Sequence, residues 1–455
     1  MLLRRLIPAL LLLALAGPGR AAARCDLAIA HVNVVPMSRE TVLPDRTVQV
    51  QGGRIVAIVK AGASPLACRV TVEGHGRYLL PGLNDLHVHL DTAGFAQAFG
   101  IRGAPPVDFP AGFALYLANG VTGVRVMSGG PDILAFRDSQ KGLRSAFPRL
   151  VTASPMLSGA PPVIPEPITR VVTTPDAGRA AVDEYATAGY DFIKVRDNLR
   201  PEVFRAILAQ AKVRGLYVDG HISQGQGLSV ADVLAAGQHA VAHLDNFALA
   251  MKRDSDAQTY VQELLACGCF VSSTLQVETN ALRQIADYEG MISRPSVKYV
   301  PPLAVKAFWS KPNNGYADGK ADPAFFRELY RQDGVLLRAF VAAGVPVVAG
   351  TDALNPMITP GESLHEELEA MVESGVTPYQ ALRTATAVPA RVVPGFADLG
   401  ELAPGKTANA VLVEGNPLKD LTALRAPMGV MINGHWLSRA DLARGLDRAA
   451  ASYAR

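Results

Sequence analysis

An excess of charge of either sign is the first thing missing. The N-terminal stretch holds Arg4, Arg5 and Arg20 and no acid, so without it the 44 basic residues fall level with the 41 acidic ones. A formally neutral chain, with no basic run interleaved with aromatics, gives no reason to expect a nucleic-acid partner. Long apolar runs are also missing, with one short exception. Residues 6–16 follow the arginine pair and precede Gly17-Pro18 and Ala21-Ala22-Ala23. That run is too short to span a bilayer and ends on small residues, as an export signal does. The expectation is a signal peptide over residues 1–23, cleaved after Ala23. The mature protein is then periplasmic or secreted, with no stable membrane anchor, because Arg24 does not suit lipid attachment at Cys25.

Cysteine is scarce, and four residues allow three full pairings. Export permits disulfides. Cys25 and Cys68 flank one β-rich segment and are the expected bridge. Cys267 and Cys269 straddle a single glycine, and the expectation there is two small buried side chains. Hydrophobic residues at 49% against 19% charged leave no case for a disordered or fibrous chain.

What is present is a change of texture near residue 80. Residues 24–79 alternate in short β runs with a Gly52-Gly53 turn, and residues 398–455 return to that texture in "NAVLVEG" and "PMGVMINGHWL". Between them, over residues 80–397, eight short apolar strands alternate with helical patterns such as "PEVFRAILAQAKVRG". The expected fold is α/β: a (β/α)8 TIM-like barrel, with a small β-sandwich made by the two terminal segments and Pro81-Gly82 marking the passage between them. Two long connections, residues 89–120 and 288–323, are expected to cover the barrel mouth.

The chain has only nine histidines, and two of them, His87 and His89, share one side of the first barrel strand in "NDLHVHL". Strand ends at the C-terminal mouth then supply Lys194 in "DFIKV", His221 in "VDGHI", His243 in "AVAHLDN" and Asp352 in "AGTDA". Five of these six are zinc-binding types. Lys194, in an apolar strand, is either a snorkelling side chain or an amine that loses its charge readily.

This pattern resembles the amidohydrolase superfamily, and within it the imidazolonepropionase-like and secreted metallo-dipeptidase (prolidase-like) branch. "PGLNDLHVHL", "GVTGVRVMSGG", "DFIKVRDNLRPEVFRAI" and "LGELAPGKTANAVLVEGNPLKDL" carry the resemblance. It implies one metal held by His87, His89 and Asp352. A second would be held by His221 and His243, with carbamylated Lys194 as the bridging ligand. Two divalent ions, by default Zn2+, with manganese or cobalt as alternatives, would hold a hydroxide that attacks a carbonyl. Asp352 would then shuttle the proton to the leaving nitrogen. The implied activity is hydrolysis of a small-molecule amide, a dipeptide or N-acyl amino acid, by a homo-oligomer. A lactone, cyclic amide or phosphotriester, or a noncatalytic binding barrel, are the alternatives.

The chain departs from the family pattern at Met127-Ser128, at Ala242 before His243 and at Ala408-Asn409. None of these removes a ligand. Arg196, two residues past Lys194 on the same side, reads either as a clamp for a substrate carboxylate or as a salt-bridge partner of Asp197. Trp309 and Tyr316 could line a pocket, but packing is the stronger expectation. His239 and His365 read as structural or solvated, and His31, His75 and His435 lie in the terminal β segments.

Overall fold

The computed structural model describes residues 24–454, apart from 64–65, 99, 104–105 and 141–145. The expected signal peptide, residues 1–23, lies outside the described residues. No helix among the described residues is long and apolar enough to cross a membrane.

The N-terminal strands are β1 (Arg24–Val34), β2 (Leu43–Gln51), β3 (Arg54–Lys60), β4 (Ala67–Glu73) and β5 (Tyr78–Pro81). They join the last three strands of the chain, β16 (Ala410–Val413), β17 (Gly429–Ile432) and β18 (His435–Ser438), in one eight-stranded sheet. Antiparallel pairing of β5 with β16 closes the union, setting Leu80 against Val411. Alternation along the strands turns Ile29, Val34, Val48, Leu412 and Met431 to one buried face, which gives this sheet its own core.

The barrel strands are β6 (Leu83–Val88), β7 (Val121–Val126), β8 (Arg149–Thr152), β11 (Ile193–Val195), β12 (Val218–Gly220), β13 (Ala240–Ala242), β14 (Phe270–Ser272) and β15 (Val347–Val348). Adjacent strands run parallel through β6-β7-β8 and through β11 to β15. Ala153 bridges Phe192 between the two groups, and Val88 bridges Ala353 on the other side, so the eight strands close on themselves. Every residue of β6 and β7 is buried, as both faces of a barrel strand must be. The helix Pro201–Val213 shows why these segments are helical. Proline opens it, and Val203, Phe204, Ile207, Leu208 and Ala211 recur at helical spacing on the face it buries.

Two expectations need adjustment. "RLVTASPM" reads as one strand, but it breaks into β8 and β9 (Met156–Ser158) around Pro155, which has no N–H to donate. β9 pairs with β10 (Thr169–Val171) and with β11. The second concerns cysteine. Cys25 and Cys68 stand opposite one another in the β1–β4 ladder and are bonded as expected. Cys267 and Cys269 are bonded too, contrary to expectation. Gly268 ends the helix Asp256–Cys267 in the left-handed region, at φ 64°, and folds the chain back until the two Cα atoms are 5.2 Å apart. Replacing Cys68 by serine is expected to cost about 2–4 kcal/mol, read as a lower denaturant midpoint under oxidising conditions.

Candidate active site

Strand geometry brings the first three candidates together. His87 is the penultimate residue of β6 and His89 lies two residues on, so both rings point to the same side. Nε2 of His89 is 3.0 Å and Nε2 of His87 is 3.3 Å from Oδ1 of Asp352. One ligand atom from each of the three lies within 4.8 Å of the others. The His243 ring packs 4.3 Å from that of His87 and 4.9 Å from that of His221, measured between centroids. Lys194, at the centre of β11, is 1% exposed, and its Nζ has no hydrogen-bond partner.

The ring nitrogens fit a divalent cation. Nδ1 of His89 is 2.7 Å from Ser128 Oγ, and Nδ1 of His243 is 2.8 Å from Thr274 Oγ1. Nδ1 of His221 lies 3.3 Å from Asp197 Oδ1. For His89 and His243 the partner occupies Nδ1 and leaves Nε2 for the interior, which is how histidines are oriented toward metals, whereas Nε2 of His221 faces Arg196. Asn355 Nδ2 donates to Oδ2 of Asp352 and leaves Oδ1 for the two histidines. Asp352, His243 and Thr274 all have positive φ, at 59°, 69° and 60°, so these strand ends carry backbone strain at the mouth.

Electrostatics agree. Burial, reinforced by neighbouring cations, drives His87 and His243 well below the usual imidazole range, and His221 down to about 4. All three are therefore neutral, the form that binds metal. Burial alone would push the Asp352 carboxyl up. The hydrogen bond from His89 and the nearby Lys194 amine overcome it and keep the group ionised. Burial lowers the Lys194 ammonium to about 8, and Asp219 and Asp352 only partly offset that. The group is a readily neutralised amine rather than a snorkelling one.

Arg196 lies between Asp197 and His221. Its Nε is 3.5 Å from Asp197 Oδ2, while its Nη1 reaches 2.9 Å from Nε2 of His221 at the mouth. Trp309 is fully buried and donates to Leu354 O, as packing requires, and Tyr316 sets its ring edge-on against Phe326. His365 bonds Asn119 O and His239 meets Phe270 edge to face, both away from the cluster.

Several contributors escape a reading of the sequence. Thr274 and Asn355 carry no motif of their own. Asp85 accepts from Thr351 N and Thr351 Oγ1 at 3.1 and 2.7 Å, and so fixes the segment that presents Asp352. Its signal was its place two residues before His87 on the same face. Arg125 and Asp219 form a fully buried ion pair at 2.5 Å, with the guanidinium over Phe192 and Phe270. Asp219 stands opposite Lys194 in the β11–β12 ladder. Charged residues inside the apolar runs "GVRV" and "YVDG" were the visible clue.

A model of the family described as "Amidohydrolase family" matches residues 78–437, which takes in every one of these side chains. The chain belongs to the amidohydrolase family. This amidohydrolase is 24% identical over 397 residues to an adenine deaminase of Nitratidesulfovibrio vulgaris (strain DP4), covering 86% of the chain and 54% of that protein. Over 92 residues it is 36% identical to an ochratoxinase of Aspergillus niger, which spans 20% of the chain and 18% of that enzyme. The chain thus spans about half the length of the first relative, and less of the second. Among solved structures, a prolidase complexed with N-methylphosphonate-L-proline aligns over 91% of this chain and 99% of its own, with TM-score 0.68 and 20% identity. The bottromycin amidohydrolase aligns over 94% and 90%, with TM-score 0.69 and 21% identity. Both show the same barrel fold.

The Met127-Ser128 departure from the family pattern now has a role, because Ser128 holds His89. Replacing Ser128 by alanine is expected to weaken metal binding by about 10–100-fold, measured by competition with a chromophoric chelator. The Asn409 departure is structural: its Oδ1 accepts from Asn433 N at 2.7 Å and pins the β17–β18 turn.

Proposed function

We propose that this chain is an exported, metal-dependent hydrolase that cleaves the C–N bond of a dipeptide or N-acyl amino acid. The observation that carries the reading is the convergence of His87, His89 and Asp352 on one point, with neutral His243 and His221 beside them and unpartnered Lys194 in the adjacent strand. The prolidase likeness supports a peptide substrate, and the run before Arg24 supports export.

His87, His89 and Asp352 would hold one divalent ion. His221 and His243 would hold another, with Lys194 as a carbamate shared by both, and nitrogen and carboxylate donors suit Zn2+. When bound, such ions lower the pKa of water toward about 7 and polarise a carbonyl oxygen. The side chains perform the remaining steps. Asp352, ionised and steadied by Asn355, takes the proton from water as the new C–O bond forms. It returns that proton to nitrogen as the C–N bond breaks, so the amine departs neutral. Arg196, at the mouth beside His221, is the group placed to receive a substrate carboxylate.

The test is a panel of dipeptides, N-acyl amino acids, lactones and phosphotriesters offered to the Zn2+-loaded protein. Turnover of the first two classes supports the reading. Turnover confined to the last two would sink the amide assignment.

A further inference from the structure

Beside the metal-binding histidines lies a cavity of about 740 Å³, within the range of small-molecule sites. Ser128 lines it, is 1% exposed and holds His89 at 2.7 Å, so the cavity begins one side chain from the site where bonds would break. Its wall is kept bare next to Asp91. A Cβ on Gly130 would lie 2.9 Å from Asp91 Oδ2, and one on Gly94 only 2.5 Å away, so a side chain at either position would push the carboxylate aside. Oδ1 of Asp91 accepts from Gly94 N at 2.7 Å. Among the described residues, no cation pairs with Asp91. The exposed rim adds Asp132 and Glu166, against the single cation Arg102, and none of the three takes part in an ion pair among the described residues.

We propose that this cavity is a subsite for the cationic amino-terminal part of the substrate, with Asp91 taking the ammonium group and Asp132 and Glu166 favouring a basic side chain. The assignment rests on the hydrolase reading for its orientation, and it narrows that reading to peptides with a free amino terminus rather than N-acyl amino acids.

Calorimetric titration of the metal-loaded protein with L-leucinamide and N-acetyl-L-leucinamide, checked by chromatography for intact probe, tests the subsite by binding, because the first carries an ammonium where the second carries a neutral acetamide. The free amine is expected to bind about 10–100-fold more tightly, the range of a charge-assisted hydrogen bond. Asp91→Asn, which keeps an acceptor for Gly94 N–H, is expected to erase the difference. Glu166→Gln, at an exposed position, is expected to reduce the added affinity of L-lysinamide over L-leucinamide. Equal binding of the first pair, or a preference that survives Asp91→Asn, overturns the proposal. Turnover separates the two claims. Hydrolysis of N-acyl amino acids but not dipeptides would remove the subsite and leave the hydrolase. An Asp91-dependent preference in a protein that cleaves no amide would do the reverse.

Discussion

Asp352→Asn is expected to lower kcat for amide hydrolysis by about 10³-fold, the middle of the range for losing a general acid–base. The asparagine amide cannot take a proton from water, and it also lacks the negative charge facing the Nε2 atoms of His87 and His89 at 3.3 and 3.0 Å. Metal content, measured by mass spectrometry on the same sample, separates the two losses. If the variant keeps its metal and still loses rate, the proton shuttle is the missing part. A variant that retains more than about a tenth of wild-type kcat would contradict the role given to Asp352.

Lys194→Met is the second large effect. Methionine fills the same buried volume in β11 and keeps it apolar, so the barrel is expected to fold. Without an anionic ligand between the two histidine sets, the second ion is expected to bind more than about 100-fold less tightly, beyond the cost of losing a mere supporting partner. Equilibrium dialysis reads this directly, and unchanged stoichiometry would remove Lys194 from the ligand set. The wild-type lysine also makes a pH prediction. Only the neutral amine adds carbon dioxide, and burial brings its pKa down to about 8. At fixed dissolved carbon dioxide, activation of metal-free protein should therefore be about tenfold faster at pH 9 than at pH 7, levelling off above the pKa.

Much of this site could be read from sequence because a barrel converts strand ends into neighbours. His87, His89, Lys194, His221, His243 and Asp352 are scattered along the chain, yet each lies in or just after an apolar strand, and the fold delivers all of them to one mouth. The supporting groups were hidden for the opposite reason. Thr274 and Asn355 act through single hydrogen bonds set by the local backbone, and hydroxyls and amides on loops are too common to signal anything. The Cys267–Cys269 bond turned on the left-handed φ of one glycine, which composition cannot show. The cavity at Asp91 depends on where two glycines approach a carboxylate, and spacing in the sequence carries no trace of that.

Only Gly82 separates β5 from β6, so the strand bearing His87 is continuous with one whose partner is β16, almost at the end of the chain. A ribosome makes residues 78–88 long before residues 410–413 exist. The first two ligands must therefore wait, unsupported on one side, until nearly all of the polypeptide has been synthesised. Assembly of the centre is therefore expected to come late, and a chain cut short before β16 should emerge unable to hold metal even with all six ligand positions present.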